Sequence, residues 1–258
     1  MKKILFSITL FFTTISFVTA KEKPRDYYVI QVYHCSTENQ LVGIDRYLKE
    51  KYLPHLHQFG ISNIGVFEPI HNDTAKDKTI IVWIPLTSLK KLDQLDQVKE
   101  AIDPLKSNPL LSLTAENGIL PYNRVETIIS KSFKFQAQYQ KKTSFTKSPE
   151  NIYEFRSYES QDEAVFLRKV HMFNEGNEIK LFKDLQFNAL FYSKVIAGSR
   201  MPNLIYITRF QNMADREAHW KRFGESAAWK QMSNLPVYLN TVSKSDIILM
   251  RAKPYSDL

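Results

Sequence analysis

Two six-residue stretches, 28–33 (YVIQVY) and 153–158 (YEFRSY), give the strongest indication of the fold. They lie 125 positions apart, and each begins and ends with tyrosine. Two further apolar runs, 79–86 (TIIVWIPL) and 203–210 (NLIYITRF), are separated by almost the same distance. Matched strand-type runs at one spacing indicate that the chain contains two copies of one structural unit.

The elements between these runs follow the same order in both halves. In the first half, the residue patterns predict strands at 27–33, 61–70, 79–84 and 125–133, with helical stretches at 37–58 and 88–116. In the second half, they predict strands at 152–158, 187–196, 204–210 and 242–251, with helical stretches at 162–185 and 212–233. Each half therefore reads as a β-α-β-β-α-β unit.

A β-α-β-β-α-β unit forms a four-stranded antiparallel sheet with both helices on one face. The other face must be covered, and in a tandem chain the second copy is available to cover it. The sequence therefore predicts an α+β fold in which two ferredoxin-like repeats form a closed, barrel-like pseudo-dimer, with any cavity between the two sheets. The predicted segments are a signal peptide (1–20), repeat 1 (21–135), a polar linker (136–150) and repeat 2 (151–258).

The N-terminus is typical of an export signal. Lys2 and Lys3 precede an apolar run at 4–18, and Val18-Thr19-Ala20 offers a cleavage site ahead of charged residues. The apolar run is shorter than the ~20 residues that span a bilayer, which disfavours a retained membrane anchor. We therefore expect an exported protein, periplasmic or extracellular, with no membrane span after cleavage.

The composition limits the partners and cofactors. The formal charge of +8 falls to +6 without Lys2 and Lys3, and the lysines are scattered along an exported chain, so nucleic acid is not an expected partner. Cys35 is the single cysteine, which excludes an internal disulfide. No glycine-rich phosphate loop, nucleophile elbow or haem-attachment motif is present, and no third ligand joins His55 and His57. The sequence predicts neither a metal site nor a cofactor.

The strand at 152–158 supplies the main candidate site residues. Glu154, Arg156 and Tyr158 share one face of that strand. Because the more apolar face is expected to lie under the helices, these three side chains and their first-repeat counterparts Gln31 and Tyr33 are predicted to line the space between the sheets. Arg156 would then hold an anionic or carbonyl-bearing ligand. The alternative is a structural Glu-Arg-Tyr network that fixes the two halves together.

Two further candidates lie outside these strands. His171 sits in a predicted helix beside aromatic residues, where it is either a hydrogen-bonded structural histidine or a proton shuttle. Arg200 lies in a predicted turn at 198–203, where it either gates a cavity mouth or forms an ion pair with an acid of the other repeat.

Several segments together resemble the NIPSNAP family, in particular its secreted two-repeat bacterial members. They are 152–160 (IYEFRSYES), 172–176 (MFNEG), 187–188 (FN), 198–203 (GSRMPN), 218–224 (AHWKRFG) and 229–230 (WK), with weaker matches at 53–60 (LPHLHQFG) and 82–83 (VW). The resemblance implies a dimeric α/β-barrel fold of the ferredoxin-like type. That superfamily includes cofactor-free monooxygenases, small-ring isomerases, haem-degrading enzymes and haem-binding dismutases, but the family has no settled catalytic residues, and fold alone does not define function.

The sequence leaves three functional hypotheses open, and it does not decide whether the protein is an enzyme. The first is a binding or accessory protein that holds a small organic ligand between the repeats or contacts a partner protein. The second is a cofactor-independent monooxygenase or isomerase acting on an aromatic or conjugated substrate through Arg156, Tyr158, Glu154 and His171. The third is a haem-binding protein with His171, His55 or His57 as ligand. The chain is expected to be a monomeric pseudo-dimer or a homodimer.

Overall fold

The computed structural model describes residues 23–102, 121–141 and 145–258. The predicted export signal, the end of the predicted helical stretch at 88–116 and three residues of the predicted linker lie outside these ranges. Within them, no helix is both long enough and apolar enough to cross a membrane.

Eight antiparallel strands form one closed barrel, in the order β1-β3-β2-β8-β5-β7-β6-β4. The strands are β1 (Tyr27–Cys35), β2 (Gly65–Pro69), β3 (Lys78–Leu86), β4 (Arg124–Ser132), β5 (Ile152–Glu159), β6 (Asn188–Ala197), β7 (Asn203–Phe210) and β8 (Lys244–Ala252). The predicted mixed α/β fold, with a barrel closed by the two halves of the chain, is therefore confirmed.

Each half contributes four neighbouring strands to the barrel. The first half runs β4-β1-β3-β2 and the second half runs β8-β5-β7-β6. Numbered within its own half, each sheet has the order fourth, first, third, second. Two pairings between the halves, β2 with β8 and β4 with β6, close the barrel.

Helices cover the outside of the barrel. They are α1 (Glu38–Tyr47), α2 (Leu53–Gln58), α3 (Leu92–Ile102), α4 (Glu163–Phe173), α5 (Glu178–Asp184), α6 (Met213–Glu225) and α7 (Ala227–Ser233), with a π-helical turn at Leu48–Tyr52 and short 3₁₀ turns at Leu89–Lys91, Lys134–Gln136 and Pro236–Tyr238. Side chains of Thr37, Asp162, Asn212 and Ser226 cap the first free backbone N–H groups of α1, α4, α6 and α7. These caps explain why the helices begin one residue after polar residues in the sequence.

The buried side chains form three layers. One apolar cluster lies inside the barrel and includes Tyr28, Ile30 and Ile205. A second lies between the first-half sheet and α1–α3, and a third lies between the second-half sheet and α4–α7. Strands β1, β3, β5, β6 and β7 are therefore buried on both faces, although neighbouring side chains of one strand belong to different layers, whereas β8 and the start of β4 are more exposed.

The helical stretch predicted at 162–185 is interrupted. α4 ends at Phe173 and α5 begins at Glu178, and Asn177 between them has a left-handed backbone with φ of 69°. Across the break, the buried Lys169 ammonium and Glu178 carboxylate lie 3.2 Å apart. Gly176 permits the turn because a Cβ there would lie 2.6 Å from the carbonyl oxygen of Met172 and 2.7 Å from the hydroxyl of Tyr238.

We expect Gly176→Ala to lower the free energy of unfolding by about 1–3 kcal/mol, since the methyl group has no room beside a backbone carbonyl. Gly43→Ala is the matched control, because Gly43 is exposed within α1 and nothing lies within 4 Å of a Cβ built there. This second substitution is expected to stabilise by up to ~1 kcal/mol through helix propensity. Urea denaturation measures both, and equal effects would contradict the packing assigned to Gly176.

Candidate functional site

The two ends of the barrel interior are filled differently. The end at Tyr28 and Arg209 is packed with aromatic rings. Trp83 stacks on Phe191 with ring centroids 5.5 Å apart, and Tyr28 contacts the same phenyl ring at 4.6 Å. At the opposite end, where β1 reaches His34 and β7 begins, the interior opens into a cavity. We call this cavity, with the lining given next, the mouth cavity.

The mouth cavity has a volume of about 590 Å³ and opens to the surface. Its apolar lining includes Val32, Ile81, Ile128, Phe155, Ile205 and Ile248, from strands of both halves. Its polar lining includes His34, His71, Asn72, Asp77, Thr79, Glu126, Ser157, Ser199, Arg200 and Asn203. The cavity therefore has apolar walls inside the barrel and a polar rim around its opening.

His34 is the most chemically suggestive side chain on the rim. The imidazole is 10% exposed, and its Nδ1 lies 2.8 Å from the Asp77 carboxylate. An ionised carboxylate accepts a hydrogen bond at that distance, so Nδ1 carries the proton and Nε2 is left as an acceptor. Nε2 has no hydrogen-bond partner among the described residues, and the nearest carboxylate, that of Glu126, lies 3.9 Å away. The arrangement can accept a proton or a hydrogen bond from a molecule in the cavity.

Other polar residues hold the rim in place. Arg200 has a left-handed backbone with φ of 66° and forms ion pairs with Glu159 and Asp246. Both acids belong to the second half, as Arg200 does, so the predicted pairing with an acid of the other repeat is wrong. Arg200 does lie at the cavity mouth. Deeper in, Asn203 donates to Ser157 at 2.9 Å.

The prediction that Glu154, Arg156 and Tyr158 line the central space is wrong. In β5 the inward side chains are Tyr153, Phe155 and Ser157, whereas the other three point to the helices of the second half. The expectation failed because it placed the more apolar face of the strand under the helices. Here the helix side carries its own charged partners, and the barrel interior takes the apolar set.

Glu154 is the centre of a polar network beneath α6. Its carboxylate is fully buried and accepts from Arg156 Nε at 2.6 Å, from Arg216 Nε at 2.6 Å and from Trp220 Nε1 at 2.8 Å. Arg156 also donates to the hydroxyl of Tyr158 at 2.8 Å, and its guanidinium lies 3.7 Å from the ring centre of Trp220. Because three donors satisfy the buried carboxylate, this network ties α6 to the sheet within the second half.

The first-half counterparts face helices in the same way. Gln31 and Tyr33 point away from the barrel interior, where Tyr33 packs with its ring centroid 5.7 Å from that of Tyr122. The prediction that they line the central cavity is therefore also wrong, for the same reason.

The predicted histidine candidates lie outside the barrel. His171 Nδ1 is 2.8 Å from the hydroxyl of Tyr238, which fits the structural alternative. His57 contacts the Asp257 carboxylate at 3.0 Å, and His55 contacts the carbonyl oxygen of Lys51. None of the three lines the mouth cavity. In the part of the chain that the structure describes, no group of three or more histidine, cysteine or acidic side chains is placed to hold a metal ion.

Two polar residues of the barrel interior were not recognised as inward-facing from the sequence. His34 continues the inward series Tyr28, Ile30 and Val32, and Arg209 continues the inward series Ile205 and Ile207. A polar residue at the end of an alternating apolar series was the available signal. It could be used only after the inward face of each strand had been assigned correctly.

Comparison with solved structures places this architecture in the dimeric α/β-barrel class. A putative monooxygenase from Lactobacillus acidophilus NCFM aligns with a TM-score of 0.53 at 9% identity, covering 88% of this chain and 94% of that one. An anthrone oxidase-like protein aligns with a TM-score of 0.53 at 8% identity, covering 91% of this chain and 94% of that one. At such low identity these likenesses describe the fold alone.

Within that class, residues 153–257 match the family model described as NIPSNAP. A NIPSNAP family protein from Agrobacterium tumefaciens strain C58 aligns over 42% of this chain and 98% of its own length, at 18% identity with a TM-score of 0.37. No curated protein matches the chain by sequence. The family match thus covers the second half of the barrel, including β5–β8 and the helices over them.

Substitution of Glu154 tests how much its network contributes to the free energy of unfolding. Glu154→Ala leaves two arginines and an indole N–H without their acceptor, so we expect the free energy of unfolding to fall by about 3 kcal/mol or more. Glu217→Ala on the exposed side of α6 is the matched control and is expected to change it by no more than about 0.5 kcal/mol. Urea denaturation checks both. A Glu154 variant as stable as the control would show that the network does not hold α6 on the sheet.

Proposed function

We propose that this protein binds a small, largely apolar organic molecule in the mouth cavity, between the two halves of the chain. The observation that carries this proposal is the cavity itself, about 590 Å³ in volume with apolar walls and a polar rim. Its size is within the ~300–1,000 Å³ of ordinary small-molecule sites. Both halves supply walls, so the site needs the complete barrel.

The lining defines the chemical class of the ligand. The branched side chains of Ile81, Ile128 and Ile205 favour an apolar body, because each square ångström of apolar surface removed from water contributes roughly 25 cal/mol. The free Nε2 of His34 favours a hydroxyl or another hydrogen-bond donor at the end of the ligand nearest the rim. A phenol or a hydroxylated conjugated ring has both features.

The wider biological setting is part of the same proposal. We infer from the N-terminal sequence that the protein is exported, periplasmic or extracellular. That the whole chain is NIPSNAP-like is supported by the match at 153–257, and that its halves are ferredoxin-like repeats is supported by their common strand order. One chain already closes its barrel, which supports a monomeric pseudo-dimer. A partner protein is the alternative occupant of the exposed rim.

A cavity-filling substitution tests the binding site. Val32 is half-buried and lines the cavity, so Val32→Trp should occupy part of its volume. With the apolar fluorophore N-phenyl-1-naphthylamine as probe, we expect saturable binding to the wild-type protein and at least about a tenfold weaker Kd for this variant, measured by fluorescence titration. Val125→Trp is the matched control, because Val125 is 40% exposed and lies outside the cavity.

The control should bind the probe as the wild-type protein does. Equal weakening by the two tryptophans, or equal affinity of all three proteins, would place the probe elsewhere and remove the cavity as its binding site.

A second candidate function, proton transfer on the bound molecule, is favoured by the His34–Asp77 pair. His34 Nε2 would accept a proton from a C–H group next to a carbonyl, and the C–H electron pair would move onto the carbonyl oxygen to give an enolate. Return of that proton to another carbon would complete an isomerisation with no oxidant or cofactor. The Asp77 carboxylate, 2.8 Å from Nδ1, orients the imidazole and faces the positive charge that forms. This route replaces the one predicted through Arg156, Tyr158 and Glu154.

Hydrogen–deuterium exchange tests this function. Cyclohex-3-enone in D₂O is a suitable probe, and proton NMR follows both exchange next to its carbonyl and isomerisation to the conjugated ketone. We expect His34→Gln to slow the protein-dependent rate by about 100-fold or more, the usual contribution of a positioned general base. His55→Gln, outside the cavity, should leave it unchanged. A wild-type rate equal to that of buffer, or an unchanged rate in the His34 variant, would rule out proton transfer and leave the binding role intact.

The three histidines considered as haem ligands, His171, His55 and His57, do not line the mouth cavity. His171 is engaged by Tyr238, and neither His55 nor His57 reaches the barrel interior. No contact among the described residues favours haem over a smaller organic ligand.

A further inference from the structure

An open groove lies on the outside of the barrel, along the pairing of β4 with β6 that joins the two halves. It has a volume of about 650 Å³. Its positively charged lining consists of Lys23, Arg25, Lys131 and Lys194, and its remaining lining of Tyr27, Leu89 and Ile196. None of these residues is acidic, and none lines the mouth cavity. We call this groove the seam groove.

The strand register brings the charges of the seam groove together. Tyr27 of β1 lies opposite Lys131 of β4, and Lys131 lies opposite Lys194 of β6. Side chains at directly opposed positions of neighbouring strands share one face of a sheet. That face is the outer one, because Tyr27 packs with the cluster under α1–α3, whereas its neighbour Tyr28 lies inside the barrel. The wall of the barrel therefore separates the seam groove from the mouth cavity.

The opposed lysines are an unfavourable arrangement for the fold alone. Like charges at directly opposed positions repel each other and destabilise a strand pairing. Lys131 belongs to the first half and Lys194 to the second, so this repulsion acts across a pairing that closes the barrel. Neither of them, nor Lys23 or Arg25, forms an ion pair within residues 23–102, 121–141 and 145–258. The described part of the chain thus leaves the positive charge of the groove uncompensated.

Arg25 is held at the edge of the seam groove by backbone contacts. The backbone N–H of Ser132 donates to the carbonyl oxygen of Asp26 at 2.9 Å, so the segment before β1 continues alongside β4. Nη1 of Arg25 donates to the carbonyl oxygen of Ser132 at 3.3 Å. This contact positions the guanidinium, whose remaining N–H groups suit phosphate oxygens.

The apolar part of the seam groove lies beside its cations. Leu89 follows β3 and is 43% exposed, and Ile196 is half-buried on β6. The Lys131 ammonium lies 5.6 Å from the ring centre of Tyr27. A ligand whose anionic group lies among the cations would therefore place an adjoining ring or chain against apolar side chains.

We propose that the seam groove binds the phosphate group of a phosphorylated organic molecule between Lys131 and Lys194. Arg25 is a further donor, and the apolar part of the ligand packs against Tyr27 and Leu89. A phosphate monoester carries roughly two negative charges and several acceptor oxygens at neutral pH, so it can accept from several cations at once. The bound phosphate would replace repulsion across the seam by attraction to both lysines. This site does not depend on the function proposed for the mouth cavity.

Phenyl phosphate is the probe for this site, with isothermal titration calorimetry at constant ionic strength as the measurement. We expect saturable binding to the wild-type protein, and Lys194→Gln should weaken it by about tenfold or more, because a charge-assisted hydrogen bond is lost. Lys244→Gln is the matched control, since it removes the same charge from an exposed lysine of β8 outside the groove, and it should bind as the wild type does. Val32→Trp, in the mouth cavity, should also leave the affinity unchanged, which separates the two sites.

The melting temperature distinguishes a binding role of the lysines from a structural one. Lys131→Gln removes a repulsion, so we expect it to weaken phenyl phosphate binding by about tenfold without lowering the melting temperature. Phenyl phosphate should raise the melting temperature of the wild-type protein but not that of the variant carrying both Lys131→Gln and Lys194→Gln.

Two sources carry the same phosphate group, a soluble phosphate ester and the head group of an anionic phospholipid. Co-sedimentation with phosphatidylcholine vesicles that contain phosphatidic acid distinguishes them. Vesicle binding that is lost in the double lysine variant assigns the lipid head group, and binding of phenyl phosphate without vesicle binding assigns a soluble ester. If the wild-type protein binds neither probe, or if both lysine variants bind as the wild type does, the proposal is wrong.

Discussion

Closure of the eight-stranded barrel is the constraint on which the rest of the structure depends. The pairings of β2 with β8 and of β4 with β6 join the two halves, so no strand edge remains free. Closure also gives the central strands of each half, such as β1 and β5, two buried faces, one toward the barrel interior and one toward the helices. The interior is shared by both halves, so side chains from both halves line the mouth cavity.

The same constraint explains what could be predicted from the sequence. The order of strands and helices along each half, the mixed α/β class and the closed barrel followed from the spacing of the apolar runs. The predicted strands differ from the observed ones by a few residues at their ends. The face assignment failed because hydrophobicity does not distinguish the two sides of a strand that is buried on both. In β5 the helix side holds Glu154 and Arg156, and these are tolerated because Arg216 and Trp220 arrive from α6, some sixty residues later. The sequence of β5 alone does not indicate that these partners will be present.

Hydrogen-bonding state separates the structural polar groups from the candidate functional ones. The Glu154 carboxylate accepts from three donors, and the Arg200 guanidinium forms ion pairs with two carboxylates. Both groups are therefore hydrogen-bonded within the chain. In contrast, His34 Nε2 is a buried acceptor atom with no partner among the described residues. An unpaired buried polar group destabilises the folded protein, and a bound ligand can supply the missing hydrogen-bond partner. This atom lies at the open end of the barrel, on the mouth cavity.

We propose that the barrel interior, entered at the His34 end, is the ligand-binding space of this protein. The most direct measurement is a crystal structure of the protein with N-phenyl-1-naphthylamine bound. We expect the naphthyl ring to lie between Val32, Ile81 and Ile205, with the amine N–H of the probe toward His34. A probe found among the outer helices, or a mouth cavity filled by rearranged side chains, would contradict it.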